Sequence, residues 1–258
     1  MSSTTRSKAQ PQRRLARMFR DHPHVRVPRV HTDLSTRRVL VTEYVDGLGF
    51  DEIAQLGDAE RDRIGEIVFR FFLGLVWRER IVLGDPHPDN CLLCPDGRVC
   101  LLDFALPRGL EPEYFDGERE VMQAAIDTDP HAVHDALVHL GYLTTTESCD
   151  PAALLEYLAT TGEWLLVEGS RRIDPAYVRR TLEVGYPPRS PWFTMLRRLT
   201  FPARTLLLRR MEIQMLSLLG ELRAAGDWAR IAAEHWADQP PQTPLGRQDA
   251  AFFHRHSN

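Results

Sequence analysis

Apolar residues recur at helical spacing along Asp58–Arg80, with Ile64, Ile67, Val68, Phe71, Phe72, Leu75 and Val76 at i, i+3, i+4 and i+7. That pattern predicts a long buried helix. Asp51-Glu52-Ile53 opens a shorter one just before it. Further on, Asp129-Pro130, Asp150-Pro151, Asp174-Pro175 and Ser190-Pro191 each pair a capping oxygen with proline at the first helical position. They predict helices over 130–140, 151–160, 175–183 and 191–199, after one at 116–127. Arg204–Ala224 and 227–237 read as the last two helices. Near the start, Gln12–Arg20 reads as a short basic helix with Leu15, Met18 and Phe19 on its apolar face. Extended chain follows at Val25–Val30, then turn, strand and turn over Leu34–Gly47 with Val39, Leu40 and Val41 as β-formers. Between 83 and 104 the pattern changes to two short apolar runs, Cys91–Cys94 and Val99–Leu102. Pro95-Asp96-Gly97-Arg98 between them is a hairpin signal. The expected class is α+β, mostly α.

Polarity places a disordered start at 1–11 and a mobile, proline-rich tail at 239–258. The remainder divides into 12–47 and a helical region 48–238. There is no internal repeat. A length of 258 residues is ample for a core, and 43% apolar with 26% charged residues is globular composition. A net charge of −4 does not suggest nucleic-acid binding. No apolar run reaches the ~18 residues of a spanning helix. The cysteines, at 91, 94, 100 and 149, form no disulfide framework, and a reducing cytoplasm is the expected setting. Cys91 and Cys94 read as small buried apolar residues rather than a zinc pair. The run Arg13, Arg14, Arg17 and Arg20 reads as a solvated helix face, with an acidic partner as the alternative.

The candidate chemistry lies in LGDPHPDNCLLCPDGRVCLLDF, residues 83–104. Asp85 opens a loop, Asn90 closes it, and Asp103 ends the second hairpin strand. Folding the hairpin brings Asp103 back toward Asp85 and Asn90. Two carboxylates and an amide oxygen suit a hard cation that takes substrate phosphates as its other ligands.

These residues resemble the catalytic and metal loops of the protein-kinase-like superfamily. The D-P-H-P-x-N wording is similar to that of the UbiB/AarF atypical kinases (aarF-domain-containing kinases), usually H-A-D-P-H-P-G-N followed by L-L-D-F-G. Phe19-x-x-x-Pro23-x-Val25-x-Val27-Pro28-x-Val30 also resembles the family's approach to the interlobe hinge. The resemblance implies a kinase-like helical C-lobe, a hinge and a remnant of the N-lobe sheet. It implies Asp85 facing the acceptor and Asn90 and Asp103 holding Mg²⁺. It also implies backbone groups of Glu43 and Val45 at the adenine of ATP. Peripheral membrane or lipid association is implied by the resemblance alone.

The chain departs from the family at several places. Leu83 stands for His, Asp89 for Gly and Ala105 for the Gly of D-F-G. Leu83 is expected to plug the core and His87 to brace the loop. Asp89 adds a third acid that either assists the cation or repels phosphate. Ala105 disfavours the usual positive-φ turn. Among 32 basic residues only Lys8 is a lysine, and it stands where the family has the Glu that pairs with the phosphate lysine. No glycine-rich loop precedes it. Three readings follow: a degenerate kinase with weak Mg–ATP binding and little turnover; a working lobe completed by another chain that supplies the N-lobe; or a small-molecule phosphotransferase of the aminoglycoside type. The last calls for an acidic acceptor pocket, with Glu163, Glu168 and Glu183 as candidates.

Overall fold

The computed structural model describes residues 4–36, 38–104, 107–143, 149–184 and 187–256, with side chains from residue 10 onward. The predicted long helix is α3 (Asp58–Glu79), and it is the axis of the fold. Ile64, Ile67, Val68, Phe71, Phe72, Leu75 and Val76 are all buried. So are Phe69, Arg70 and Leu73, so the helix is covered on every side rather than along one stripe. It stops at Arg80, which takes the left-handed conformation (φ 53°) and returns its N–H to the last turn.

A shell of helices surrounds it. α4 (Pro112–Ile126), α5 (Pro130–Leu140), α6 (Pro151–Thr161) and α7 (Glu163–Leu166) pack in succession. α8 (Pro175–Glu183) lies against α10 (Leu206–Leu222), and α11 (Trp228–Trp236) lies against α3 and α7. The Asp-Pro signals work as expected. Asp129, Asp150 and Asp174 each accept a backbone N–H of the turn that follows. Ser190-Pro191 leads only to a four-residue helix, α9 (Phe193–Leu196), although Ser190 Oγ accepts the Trp192 N–H at 3.2 Å as a cap would. α2 (Phe50–Ile53) precedes α3.

Sheet is sparse. β3 (Cys91–Leu93) and β4 (Val99–Leu101) form the predicted antiparallel hairpin, with Gly97 at φ +82° in its turn. β1 (Val25–Arg26) joins the hairpin parallel to β4. The expected strand at 39–41 forms no ladder. One isolated bridge, Val30↔Thr42, and the Glu43 N–H to Arg29 carbonyl bond (2.8 Å) hold a loose hairpin instead. Val39 is 53% exposed, so no second layer holds this segment flat. Two short pairs, β2 (Ile81–Val82) with β5 (Arg108–Gly109) and β6 (Arg171–Arg172) with β7 (Ala225–Gly226), tie the helices together.

Both predicted disordered ends need correction. The first helix, α1, spans Thr4–Met18 and not 12–20, running through Pro11 at the loss of one backbone hydrogen bond. The tail folds as α12 (Pro244–His256), with Phe252 buried. Its cap is Thr243-Pro244: the Thr243 hydroxyl accepts the Gly246 N–H at 2.9 Å. Asp249 meets His22 at 3.1 Å and Arg78 at 3.6 Å, and Arg78 stacks over Phe253. Burial works against ionisation of Asp249, but His22 and Arg78 outweigh it and hold its pKa below the ordinary carboxylate value.

Candidate active site

α3 ends against β2, and Leu83 follows as the expected buried plug. Gly84 comes next. A Cβ there would overlap the Leu207 side chain, so glycine lets α10 approach the loop closely. That approach determines the surroundings of Asp85. Arg210 donates to Asp85 Oδ1 at 3.1 Å and Gln214 donates to the same oxygen at 2.7 Å. Both ends of the ion pair are half exposed, at 46% and 58%. A pair in that setting is worth about 0–1 kcal/mol and is easily displaced.

The loop turns on His87. Its N–H donates to the Asp85 carbonyl (2.8 Å), its carbonyl accepts from the Asn90 N–H (3.0 Å), and its Nδ1 accepts from the Asp89 N–H (3.2 Å). His87 is thus the expected brace. Asp89 itself points into solvent, 87% exposed. The Leu102 N–H donates to the Asn90 carbonyl at 3.0 Å, so Asn90 and Asp103 adjoin through the hairpin backbone. Among the described residues no group of three His, Cys, Asp or Glu could hold a metal, so any cation here would rely on the Asn90 amide as well as carboxylate. Cys91 and Cys94 are buried in separate apolar clusters, and burial pushes the Cys91 thiol up to about 12. Ala105 lies outside the described residues.

At the hinge, Val45 is buried with Cys94 and Cys100. The Glu43 carboxylate accepts from Arg26 (2.9 Å) and from the Arg29 N–H (3.2 Å). Burial alone would raise its pKa; these two donors outweigh it and hold the group below the usual range. The Glu43 N–H is taken by the Arg29 carbonyl. An open cleft of about 1390 Å³ reaches Glu43 from α1, lined by Arg13, Arg14, Arg17 and Arg20 together with Arg26 and Arg29. A smaller cavity of about 290 Å³ opens beside the loop, between Asp51, His87 and Asp89 and the α10 residues Gln214, Ser217 and Glu221.

Arg210 and Gln214 are site residues that sequence reasoning missed. Their signal was a polar stripe, Arg210, Gln214, Ser217 and Glu221, at helical spacing on an otherwise apolar helix. Glu163 and Glu168, candidates for an acidic acceptor pocket, are committed elsewhere, to Arg171 at 3.1 Å and Arg230 at 3.1 Å.

A buried helix ending in a D-P-H-P-x-N loop, a hairpin ending in D-F, and a hinge crossing over them define a kinase-like helical lobe. The chain belongs to the ABC1 atypical kinase-like domain family, whose sequence model matches residues 6–137. It is similar to the chloroplastic protein Activity of BC1 Complex Kinase 8 of Arabidopsis thaliana, 30% identical over 136 residues, or 51% of this chain and 18% of that one. It is also similar to the mitochondrial atypical kinase COQ8B of Rattus norvegicus, 31% identical over 156 residues, or 60% of this chain and 30% of that one. The chain thus spans less than a third of the length of either relative. In fold it resembles Rv3197 of Mycobacterium tuberculosis, solved in complex with erythromycin. The TM-score is 0.75 at 21% identity, covering 91% of this chain and 59% of that one. Among the described residues no helix is long and apolar enough to cross a membrane.

Proposed function

We propose that these 258 residues form the hinge and helical lobe of an atypical kinase that binds Mg–ATP weakly and, by themselves, transfers or hydrolyses its γ-phosphate very slowly. The observation that carries this reading is the sole lysine. Lys8 sits on helix α1, ahead of the hinge, whereas a kinase grips the α- and β-phosphates with a lysine on a strand. Arginines of the open cleft, with Arg210 beside Asp85, are the cations this reading leaves to meet phosphate, and they are dispersed.

The donor types suit magnesium: the Leu102 N–H to Asn90 carbonyl bond keeps the backbones of Asn90 and Asp103 close, and Mg²⁺ takes amide and carboxylate oxygens with phosphate completing its shell. Bound there, the ion would neutralise charge developing on the transferred phosphoryl group. Asp85 would orient the acceptor hydroxyl or water through Oδ2, with Oδ1 held by Arg210 and Gln214. The Glu43 carbonyl and Val45 N–H would meet the adenine edge. The cavity beside His87 and Gln214 would give an acceptor its approach to Asp85, whose Oδ1 Gln214 holds. A reducing, cytoplasmic setting suits Cys91, Cys94 and Cys100, which are buried as thiols in the core.

A second reading, that another chain supplies the N-lobe, is favoured by the exposure of Val39 (53%) and Tyr44 (87%) beside the hinge, where an N-lobe sheet would pack. No observation favours the aminoglycoside type. Titration of Mg²⁺ or Mn²⁺ in the presence of ATP, followed by calorimetry, tests the assignment. Wild type should give a saturable signal that Asp103→Ala loses; an unchanged signal in that variant would refute it.

A further inference from the structure

Away from the kinase-like loop, the helical half forms a partly open pocket of about 330 Å³ between α3, α4, α5, α6 and α10. That is room for roughly ten waters at ~30 Å³ each. Most of its wall is apolar, including Leu73, Trp77, Met122, Ala125, Leu158 and Met211. Water gains little from such a wall, whereas an apolar occupant of similar size would fill it.

One end is polar and built. Glu118 is 8% exposed, and its carboxylate accepts from the Tyr114 hydroxyl and from Arg209. Arg209 also pairs with Glu212 at 2.9 Å. Two carboxylates therefore share one guanidinium, so when both are ionised one negative charge is left without a cation. Burial pushes the Glu212 carboxyl up to about 7, against the pull of Arg209. Tyr142 lines the same cavity, 6% exposed; its hydroxyl forms no well-aligned hydrogen bond, with Thr205 the side chain in reach, and so can still accept from an occupant. Two exposed apolar side chains, Phe201 and Ile213, also line the cavity and mark its mouth.

We propose that this cavity binds an amphipathic amine, with the ammonium between Glu212 and the Tyr142 hydroxyl and the hydrocarbon body among the α3, α4 and α6 side chains. An ammonium supplies the missing cation and donates to both groups. An alcohol of the same length keeps the apolar contacts but not the charge, and a carboxylate adds a second uncompensated negative charge. The site is independent of the nucleotide reading, because neither Asp85 nor Asp103 lines it.

The test uses the full chain without nucleotide or metal. Octylamine, octanol and octanoate are titrated at neutral pH and followed by tryptophan fluorescence, since Trp77 and Trp164 line the cavity. Octylamine should bind saturably below about 1 mM, and octanoate at least about tenfold more weakly. Glu212→Gln should weaken octylamine about tenfold while changing octanol less than about twofold. Ala125→Phe fills the cavity and should abolish binding of both. Leu158→Trp, nearer the surface, serves the same purpose if Ala125→Phe does not fold. Equal binding of octylamine and octanoate would overturn the proposal, as would no saturable octylamine binding at all. So would unchanged octylamine binding in a folded cavity-filling variant.

Discussion

Arg70 carries the most demanding electrostatics in the core. Its side chain is 4% exposed, and its partners Glu234 and Glu66 are 5% and 15% exposed. Nε donates to Glu66 at 2.7 Å, Nη1 to Glu234 at 2.5 Å, and Nη2 to the Thr243 hydroxyl at 3.0 Å. One guanidinium thereby joins α3, α11 and the cap of α12. Arg70→Ala removes the cation but leaves both carboxylates in place, out of water and repelling each other. Breaking a buried pair in this way costs about 3–5 kcal/mol, most of it the uncompensated charge that remains. At about 2–4 °C per kcal/mol for a chain of this size, the midpoint should fall by roughly 6–20 °C. The control is Arg70→Met combined with Glu66→Gln and Glu234→Gln, which removes all three charges and should recover at least half of the loss. Urea melts followed by helical circular dichroism read both variants. A cost below about 1 kcal/mol for Arg70→Ala with unchanged slope, or a triple variant as unstable as the single one, would refute the reasoning.

Two further outcomes follow from the core. Phe72→Ala should cost about 3–5 kcal/mol in the same melts, since the ring is 5% exposed and packs edge-on to Phe71; a loss under about 1 kcal/mol would mean the α3 face is not buried. His235 is held neutral by burial, with Arg78 adding to it, and its pKa falls to about 3. The unfolded value is about 6.5, so its contribution is full above that pH and is lost as pH falls toward 3. Stability at pH 5 should therefore be about 1–2 kcal/mol lower than at pH 7 from this group, and His235→Gln should flatten that slope. An identical pH profile in the variant would show that His235 is not the source.

How far the sequence could be read depended on how local each signal was. Helices whose start is an Asp-Pro step were legible because cap and proline act within one turn, as at Asp129, Asp150 and Asp174. The hairpin was legible for the same reason, with Gly97 supplying the positive φ its turn requires. α12 was missed although Thr243-Pro244 has the same form, because the prolines and polar residues before it read as linker. Its stability is also non-local, resting on His22 and Arg78 far back in the chain. The expected strand at 39–41 failed because β-propensity needs a neighbouring strand and a covering layer, and Val39 has neither. At α3, the period picked out one face, while Phe69, Arg70 and Leu73 on the other sides are buried as well. At the loop, residue types were readable from spacing, but Arg210 and Gln214 reach Asp85 from 125 and 129 residues away. Only the close approach permitted by Gly84 brings them there.

The measurement that bears most directly on the kinase-like reading is steady-state phosphate release from Mg–ATP by the purified chain, alongside Asp85→Ala. Loss of one preorganised contact to the transferring group costs about 10²–10³ in rate. With Lys8 on a helix and phosphate met only by metal and dispersed arginines, release should lie far below ~1 s⁻¹ and fall further in Asp85→Ala, while Mg–ATP binding is still detectable. Release at ~1 s⁻¹ or faster, abolished in Asp85→Ala, would contradict the account.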